Sequence, residues 1–524
     1  MLLVSSFKPR EYQTSIASSA SQANTLVVLP TGLGKTAIAA LVTNLRLQSY
    51  TDGKILVLAP TRPLTLQHYG SFKSLLVFSP ALFAVLTGEM NPEERVKIWT
   101  SAKLIFATPQ TVMNDLRADR VSLQDFVLVV FDEAHRCVRD YSYTDIARWY
   151  IDQAHNPLIL GLTASPGSSK ARIDEIVGNL RIKRVEARSD TDEDVRPYIE
   201  KTETEGIKVK LPEQYALMLE PARAIYSEKI DRLQKLHLLP ESKISKRMLL
   251  EVRSSILSRL RRLDKNNEMR GPLFGSIINQ AQAVMVLHAI ELIETQGTSS
   301  LEKYLRKLKE KSDQGKALRG LRLDKRWQLM EQASQNLVSL EHPKLAKLYS
   351  IVSEQLTKKQ TSRIIVFAQY RDTVDAIVSY LSARNLNAQR FVGQADRMED
   401  KGMNQRAQSK LLEEFTRNTF NILVSSSIGE EGLNIPDVDL VTFYEAVPSE
   451  IRSIQRRGRT GRTMPGKVVI LLTEGTVDES YYYSSIYKEK IMKQTIANRK
   501  SSSSLGTKNE NKHNASSTLL DYLD

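Results

Sequence analysis

Two parallel α/β lobes separated by an all-helical insert are what the sequence predicts, and three observations carry that reading. Short β-branched and leucine-rich runs alternate with turn signals and helical stretches at residues 25–29, 55–59, 104–107, 127–131 and 158–162, the pattern of buried strands in a parallel sheet. The alternation returns at 363–368, 422–425, 440–444 and 468–472, making a second α/β unit. Between them the texture turns helical: Leu249, Val252, Ile256, Leu260 and Leu263 recur at helical spacing, with Glu251, Arg259, Arg261 and Arg262 mainly on the other side. A further run, 281–293, is apolar nearly all round and reads as a core helix of the insert. With 524 residues the chain is too long for one hydrophobic core. The predicted organisation is a first lobe over 1–200, the insert over 201–342, a second lobe over 343–499 and a polar, flexible tail over 500–524.

Formal net charge is +14 and the isoelectric point about 9.5, which points to a polyanionic partner, either nucleic acid or anionic lipid. The charge is concentrated: residues 201–345 hold 27 Lys and Arg against 18 Asp and Glu, a surplus of 9. No uninterrupted apolar run approaches the roughly 20 residues of a membrane span, and the stretch from Met1 to Arg10 lacks the order of a secretory signal, so no membrane partner is expected. The single cysteine, Cys137, excludes an internal disulfide, a four-cysteine zinc site and an iron–sulfur cluster. A reducing cytoplasm is the expected location, with Cys137 a buried apolar residue rather than a nucleophile.

The segment Leu29-Pro30-Thr31-Gly32-Leu33-Gly34-Lys35-Thr36 follows the first predicted strand and precedes the helix-forming run 37–47, as a phosphate-binding loop requires. Around Thr31, the glycines Gly32 and Gly34 let backbone N–H groups close on phosphate oxygens. Lys35 is placed to neutralise the β and γ phosphates and the Thr36 hydroxyl to ligate Mg2+, at a helix N-terminus whose dipole favours anions. Leu29 stands where the general pattern has glycine, and a plain glycine turn is the alternative. Asp132-Glu133-Ala134-His135 ends the apolar strand 127–131, which brings its carboxylates to the C-terminal edge of the sheet. Asp132 is the expected Mg2+ ligand, and Glu133 the base that orients and deprotonates an attacking water. An Asp-Glu pair is ordinarily a solvated turn; its position roughly 100 residues beyond the phosphate loop argues otherwise.

In the second lobe, Gln455-Arg456-Arg457-Gly458-Arg459-Thr460-Gly461-Arg462 is spaced for Arg459 and Arg462 to reach one ligand, acting as fingers on a γ-phosphate when the lobes close, with Gln455 of the same run a further expected catalytic residue. A basic nucleic-acid patch is the alternative. Pro30–Thr36, Asp132–His135, Thr163-Ala164-Ser165 and Gln455–Arg462 resemble, in order, the ATP-loop, DEAH-box, coupling and arginine-finger motifs of superfamily 2 helicases, whose lobes are RecA-like. Ala59-Pro60-Thr61-Arg62-Pro63-Leu64, Gln67-His68, Leu86-Thr87-Gly88, Ala107-Thr108-Pro109-Gln110, Gly429–Pro436, His342-Pro343-Lys344 and Lys401-Gly402-Met403 look like the archaeal Hef helicase and its eukaryotic counterpart FANCM.

The resemblance implies an ATP- and Mg2+-dependent DNA translocase of 3′-to-5′ polarity on forks and Holliday-type junctions, and hence a nucleoid-associated place in the cytoplasm. It implies backbone contacts from Thr61, Arg62, Thr108 and Gly432, coupling through Thr163 and Ser165, and an insert that grips duplex arms. Arg10-Glu11-Tyr12-Gln13 resembles an adenine-reading segment, in which Arg10 and Gln13 contact the base and Gln13 can bond an adenine edge in bidentate fashion. Hef proteins commonly carry a nuclease of XPF type after the motor; none follows Arg499 here, so a nuclease is expected only as a separate polypeptide. Leu519 and Tyr522, three apart at the end of the tail, resemble a peptide that binds the sliding clamp PCNA, without its usual glutamine and second aromatic. The rival readings are a double-stranded-RNA-stimulated ATPase of the RIG-I or Dicer type and a nucleotide-switched junction clamp that does not move. Tyr481–Tyr483 and Tyr487 read as a helix packed on the second lobe rather than a base-stacking platform.

Overall fold

The structure is a computed structural model that describes residues 3–200, 202–242, 244–264, 267–310, 315–394, 396, 402–429, 435–461 and 465–505. A seven-stranded sheet is built from β1 (Thr25–Val28), β2 (Lys54–Leu58), β3 (Phe83–Leu86), β4 (Leu104–Ala107), β5 (Phe126–Asp132), β6 (Ile159–Thr163) and β7 (Arg184–Ala187), ordered β3-β4-β2-β5-β6-β1-β7. A six-stranded sheet is built from β8 (Thr202–Val209), β9 (Ile364–Phe367), β10 (Ala388–Phe391), β11 (Ile422–Ser425), β12 (Leu440–Phe443) and β13 (Gly466–Thr473), ordered β10-β11-β9-β12-β13-β8. Every pairing within them is parallel, so helical crossovers cover both faces and each sheet has a core on either side.

The nine predicted strands are all present. The four that the sequence reading passed over, β3, β7, β8 and β10, are the four edges of the two sheets. An edge strand is covered less completely, so its residues need not form an apolar run. β7 reads Arg-Val-Glu-Ala, and β8 reads Thr-Glu-Thr-Glu-Gly-Ile-Lys-Val with six of its residues exposed.

β8 corrects the expected start of the insert at residue 201. Residues 202–209 pair along their whole length with β13 and belong to the second sheet; the long helices of the insert begin with Ala216–Lys235. The expected tail boundary at 500 also falls inside an element, because the helix Val477–Leu505 runs through it.

In the insert, Leu249, Val252, Ile256 and Leu260 are buried on one face of Lys246–Arg262, while Glu251, Arg259, Arg261 and Arg262 are exposed. The central helix Arg270–Thr295 supplies residues to both of the insert's cores. Among the described residues it is the one helix long and apolar enough to cross a membrane. It serves here as the helix around which the others pack, as its all-round apolar sequence predicts.

Candidate nucleotide and nucleic-acid site

The turn after β1 carries the phosphate-loop segment. Gly32 (φ 86°) and Gly34 (φ 75°) take the left-handed conformation that side chains disfavour, and Gly34 caps the helix Lys35–Ser49. A Cβ on Gly34 would also lie 2.5 Å from Gln13 Nε2. Gln13 is buried; its Nε2 donates to the Leu33 carbonyl at 3.2 Å and its Oε1 accepts from the Arg10 backbone N–H at 3.0 Å. The Tyr12 hydroxyl donates to the same Leu33 carbonyl at 2.8 Å. The segment expected to read adenine is thus braced directly on the phosphate loop, with the Arg10 guanidinium 4.6 Å from the Tyr198 ring centroid. Lys35 Nζ donates to the carbonyls of Leu29 and Pro30 at 3.0 and 3.3 Å, which holds the ammonium over the loop.

β5 delivers Asp132 and Glu133 to the same edge. Burial pushes the Asp132 carboxyl up, but His68, whose Nε2 lies 2.8 Å from Oδ2, together with the Lys35 charge, holds it below the usual carboxylate value. The Asp132 carboxylate and the Thr36 hydroxyl are hard oxygen donors of the kind Mg2+ takes when phosphate and water fill its other positions; among the described residues no cluster of three or more His, Cys, Asp or Glu side chains could hold the ion by itself. The Tyr143 hydroxyl donates to the Asp132 carbonyl at 2.8 Å and fixes the end of the strand. Glu133 turns the chain with φ 50°, a left-handed conformation rare outside glycine, and its Oε2 stands 3.2 Å from His135 Nδ1. That nitrogen is also 3.2 Å from Thr163 Oγ1, which donates to the Ser165 carbonyl at 3.0 Å. The expected base is therefore linked by side chains to the expected coupling turn.

From that turn the contacts cross to the second lobe. Ser165 Oγ donates to Met492 Sδ at 2.8 Å, and the Ser168 N–H donates to Glu450 Oε1 at 2.8 Å. Met492 lies on Val477–Leu505, a helix that leaves the second sheet and buries Met492 and Ile496 in the first lobe's core. No sequence signal marks this strap: its apolar residues meet a core set by strands some 300 residues earlier.

The helix Glu450–Arg457 ends at Gly458, opposite the phosphate loop. Pro30, Thr31, Gly32 and Leu33 face Arg457, Gly458, Thr460 and Gly461 across a cleft of about 620 Å³, within the range of small-molecule sites. Gln455 is buried and its Nε2 has no hydrogen-bond partner among the described residues, an arrangement that suits a donor aimed at a ligand. Arg459 is 8% exposed and is not among the cleft-lining residues, and Arg462 lies outside the described residues. Arg457, which the sequence reading did not single out, lines the cleft and pairs with Glu489.

Thr61 and Thr108 are the N-caps of the helices Arg62–Leu75 and Pro109–Arg117, which follow β2 and β4, so two helix N-termini stand at one sheet edge. Such termini bind phosphate through backbone N–H groups without reading sequence. Arg62 pairs with Glu89 and donates across the lobes to Gln405 Oε1 at 3.3 Å. Gly432, Leu519 and Tyr522 lie outside the described residues.

A phosphate loop that faces an arginine-bearing turn of a second lobe across a cleft, with Lys35, Thr36 and the acidic strand end on the first lobe but not lining that cleft, is the frame of an ATP-dependent helicase, a hydrolase. Residues 10–173 match the DEAD/DEAH box helicase family, 343–464 the helicase conserved C-terminal domain, and 220–342 the helical bundle of an ATP-dependent RNA helicase family. The crystal structure of the Pyrococcus furiosus Hef helicase domain is similar over 93% of this chain and 100% of that one, with 47% identity and a TM-score of 0.69. A Methanocaldococcus jannaschii protein named as an ATP-dependent RNA helicase is 40% identical over 93% of this chain and 61% of its own length. The Neurospora crassa ATP-dependent DNA helicase mph1 is 33% identical over 90% of this chain and 41% of its own length. The chain thus spans less than two thirds of each of these two relatives. It belongs to the Hef and FANCM-like family of superfamily 2 helicases.

Proposed function

We propose that the chain is an ATP- and Mg2+-driven DNA translocase of 3′-to-5′ polarity that acts on forked and four-way branched DNA. The observation that carries this reading is the composite cleft, in which the loop Pro30–Leu33 of one lobe faces Arg457–Gly461 of the other. A site shared between lobes makes their separation depend on nucleotide, and alternating grip by the two lobes turns that dependence into a step along a backbone. When bound, ATP supplies the phosphoanhydride whose hydrolysis drives the cycle.

Within this reading, Lys35 and the backbone around Gly32 and Gly34 hold phosphates, Thr36 and Asp132 hold Mg2+, and Glu133, braced by His135, takes the proton of water. Gln455, Arg459 and Arg462 approach from the second lobe, and Thr163 and Ser165 pass the state of the site to the strap helix. Arg10 and Gln13 sense the base against the loop. Thr61, Arg62, Thr108 and Gly432 contact the nucleic-acid backbone. The basic insert grips duplex arms, and the tail's Leu519 and Tyr522 engage a sliding clamp. The similarity to mph1, which is named as an ATP-dependent DNA helicase, supports DNA as the substrate.

A double-stranded-RNA-stimulated ATPase is the second reading, and the name of the Methanocaldococcus relative favours it. ATPase rates on single strands, duplex DNA, forks, four-way junctions and duplex RNA, measured across a salt series with Glu133→Gln as control, separate the two. Stimulation by forked DNA supports the proposal; stimulation by RNA alone rejects it.

A further inference from the structure

The insert meets the second lobe through an unusually polar buried seam. Glu291, Glu294, Thr295 and Gln296, at and just beyond the end of the central helix, are all buried, although such residues are expensive to bury without partners. Gly297 then takes φ 97°, with His342 packed so close that a Cβ would stand 3.0 Å from its own. His342 lies between the rings of Tyr215 and Tyr444, at 5.9 and 6.4 Å between centroids, and Lys344 pairs with Asp478 in full burial. The His342-Pro343-Lys344 segment is thus part of a joint between the insert and the second lobe.

One line of contacts leaves this joint toward the nucleotide cleft. Thr373 Oγ1 donates to Gln296 Oε1 at 2.5 Å, and Gln296 Nε2 donates to Glu445 Oε2 at 3.4 Å. Glu445 follows β12 and precedes the arginine-bearing helix; burial pushes its carboxyl up, against the opposing pull of the Arg456 and Lys344 charges near it. Arg456 is fully buried, its guanidinium 5.1 and 5.2 Å from the ring centroids of Phe367 and Phe443. It can touch neither solvent nor nucleic acid, and a buried guanidinium needs an acidic partner. Two residues later comes Gly458, packed on Thr31 of the phosphate loop.

We propose that Gln296 and Glu445 are positioning residues that tie the insert to the arginine-bearing turn, so that displacement of the insert on DNA changes how Arg456–Gly458 sits against the phosphate loop. The idea rests on the reading of the chain as a DNA-stimulated ATPase. A close-packed buried polar contact suits the task, because its partners move together rather than slipping past one another.

The test uses the full chain with Gln296→Ala and Thr373→Val, neither of which touches the cleft. ATPase rates are taken with and without a saturating synthetic fork, fork affinity by fluorescence anisotropy, and folding by thermal melting. The expected result is a loss of about two- to thirty-fold in stimulation by DNA, with the DNA-free rate and fork affinity unchanged. Thr373→Val removes only the hydroxyl that orients the Gln296 amide, so it carries the test if Gln296→Ala fails to fold. Undiminished stimulation in a folded variant overturns the proposal, and so does an equal fall in both rates, which marks a structural role only. A wild-type chain whose ATPase ignores every DNA overturns the functional reading instead, and the proposal with it.

Discussion

Gly458 offers a substitution whose effect can be worked out atom by atom. Its backbone, at φ −67° and ψ 11°, is one that alanine adopts without strain. The consequence of Gly458→Ala is therefore steric alone. A Cβ there would overlap Thr31 Oγ1, which rotation about χ1 can move aside, and would stand 2.7 Å from Thr31 Cβ and 3.1 Å from Thr31 Cγ2, of which the Cβ cannot rotate away, whereas carbon atoms rest at about 3.5–4.0 Å. Relief needs the arginine-bearing turn and the phosphate loop to part by about 1 Å, and a misplacement of that size costs on the order of 10²-fold in turnover. Neither partner is in a hydrophobic core, so the melting temperature should change little. Nucleic-acid-stimulated ATPase assays should show kcat reduced on the order of 100-fold with unchanged affinity for DNA. Thr31→Ala/Gly458→Ala should recover only part of the loss, because Thr31 Cβ itself is one of the clashing atoms. A Gly458→Ala protein turning over within twofold of the parent would refute the composite site.

Three further outcomes follow from buried groups. Arg95 holds the buried Asp115 with paired bonds of 2.8 and 2.7 Å, Trp99 Nε1 donates to the same carboxylate at 3.0 Å and the half-buried Arg120 reaches it at 3.4 Å; Arg95→Met should cost about 3 kcal/mol by denaturant unfolding, the low end of breaking a buried pair, since Arg120 remains as a weaker partner. Burial pushes Asp115 up, but Arg95 and Trp99 hold it below its ordinary value, so the wild-type contribution is complete above about pH 4 and fades as pH falls further. Burial, with Lys344 nearby, lowers His342 to about 3 from 6.5. Its folded value lies below the unfolded one, so stability is full above pH 6.5 and declines on acidification toward pH 3; melting temperatures across that window should fall less steeply in His342→Asn. Burial pushes the Cys137 thiol up to about 12, so iodoacetamide at neutral pH should leave the native protein unmodified and label it only after denaturation.

What could be read in the sequence divides along physical lines. Strands covered on both faces announce themselves, because parallel sheets bury every side chain of their interior strands; β1, β5 and β9 are buried at every position. The four edges do not, and missing β8 moved the expected start of the insert into the second sheet. Phosphate-loop residues were legible because close approach to phosphate constrains both glycine geometry and charge at fixed local spacing, and Gly32 and Gly34 have the left-handed backbone that this demands. The rest of the site is made of contacts distant in sequence. His68 reaches Asp132 across 64 residues, and Met492 reaches Ser165 across 327. No local periodicity encodes such pairs, since each is decided by where the sheets place their ends. The same reasoning explains why Arg456 and Arg457, adjacent in one basic run, differ in kind. One is sealed between Phe367 and Phe443, while its neighbour lines the cleft and meets Glu489. The helix turns by about 100° per residue, so a run that reads as uniform charge is divided by geometry between a sealed position and one that faces the cleft.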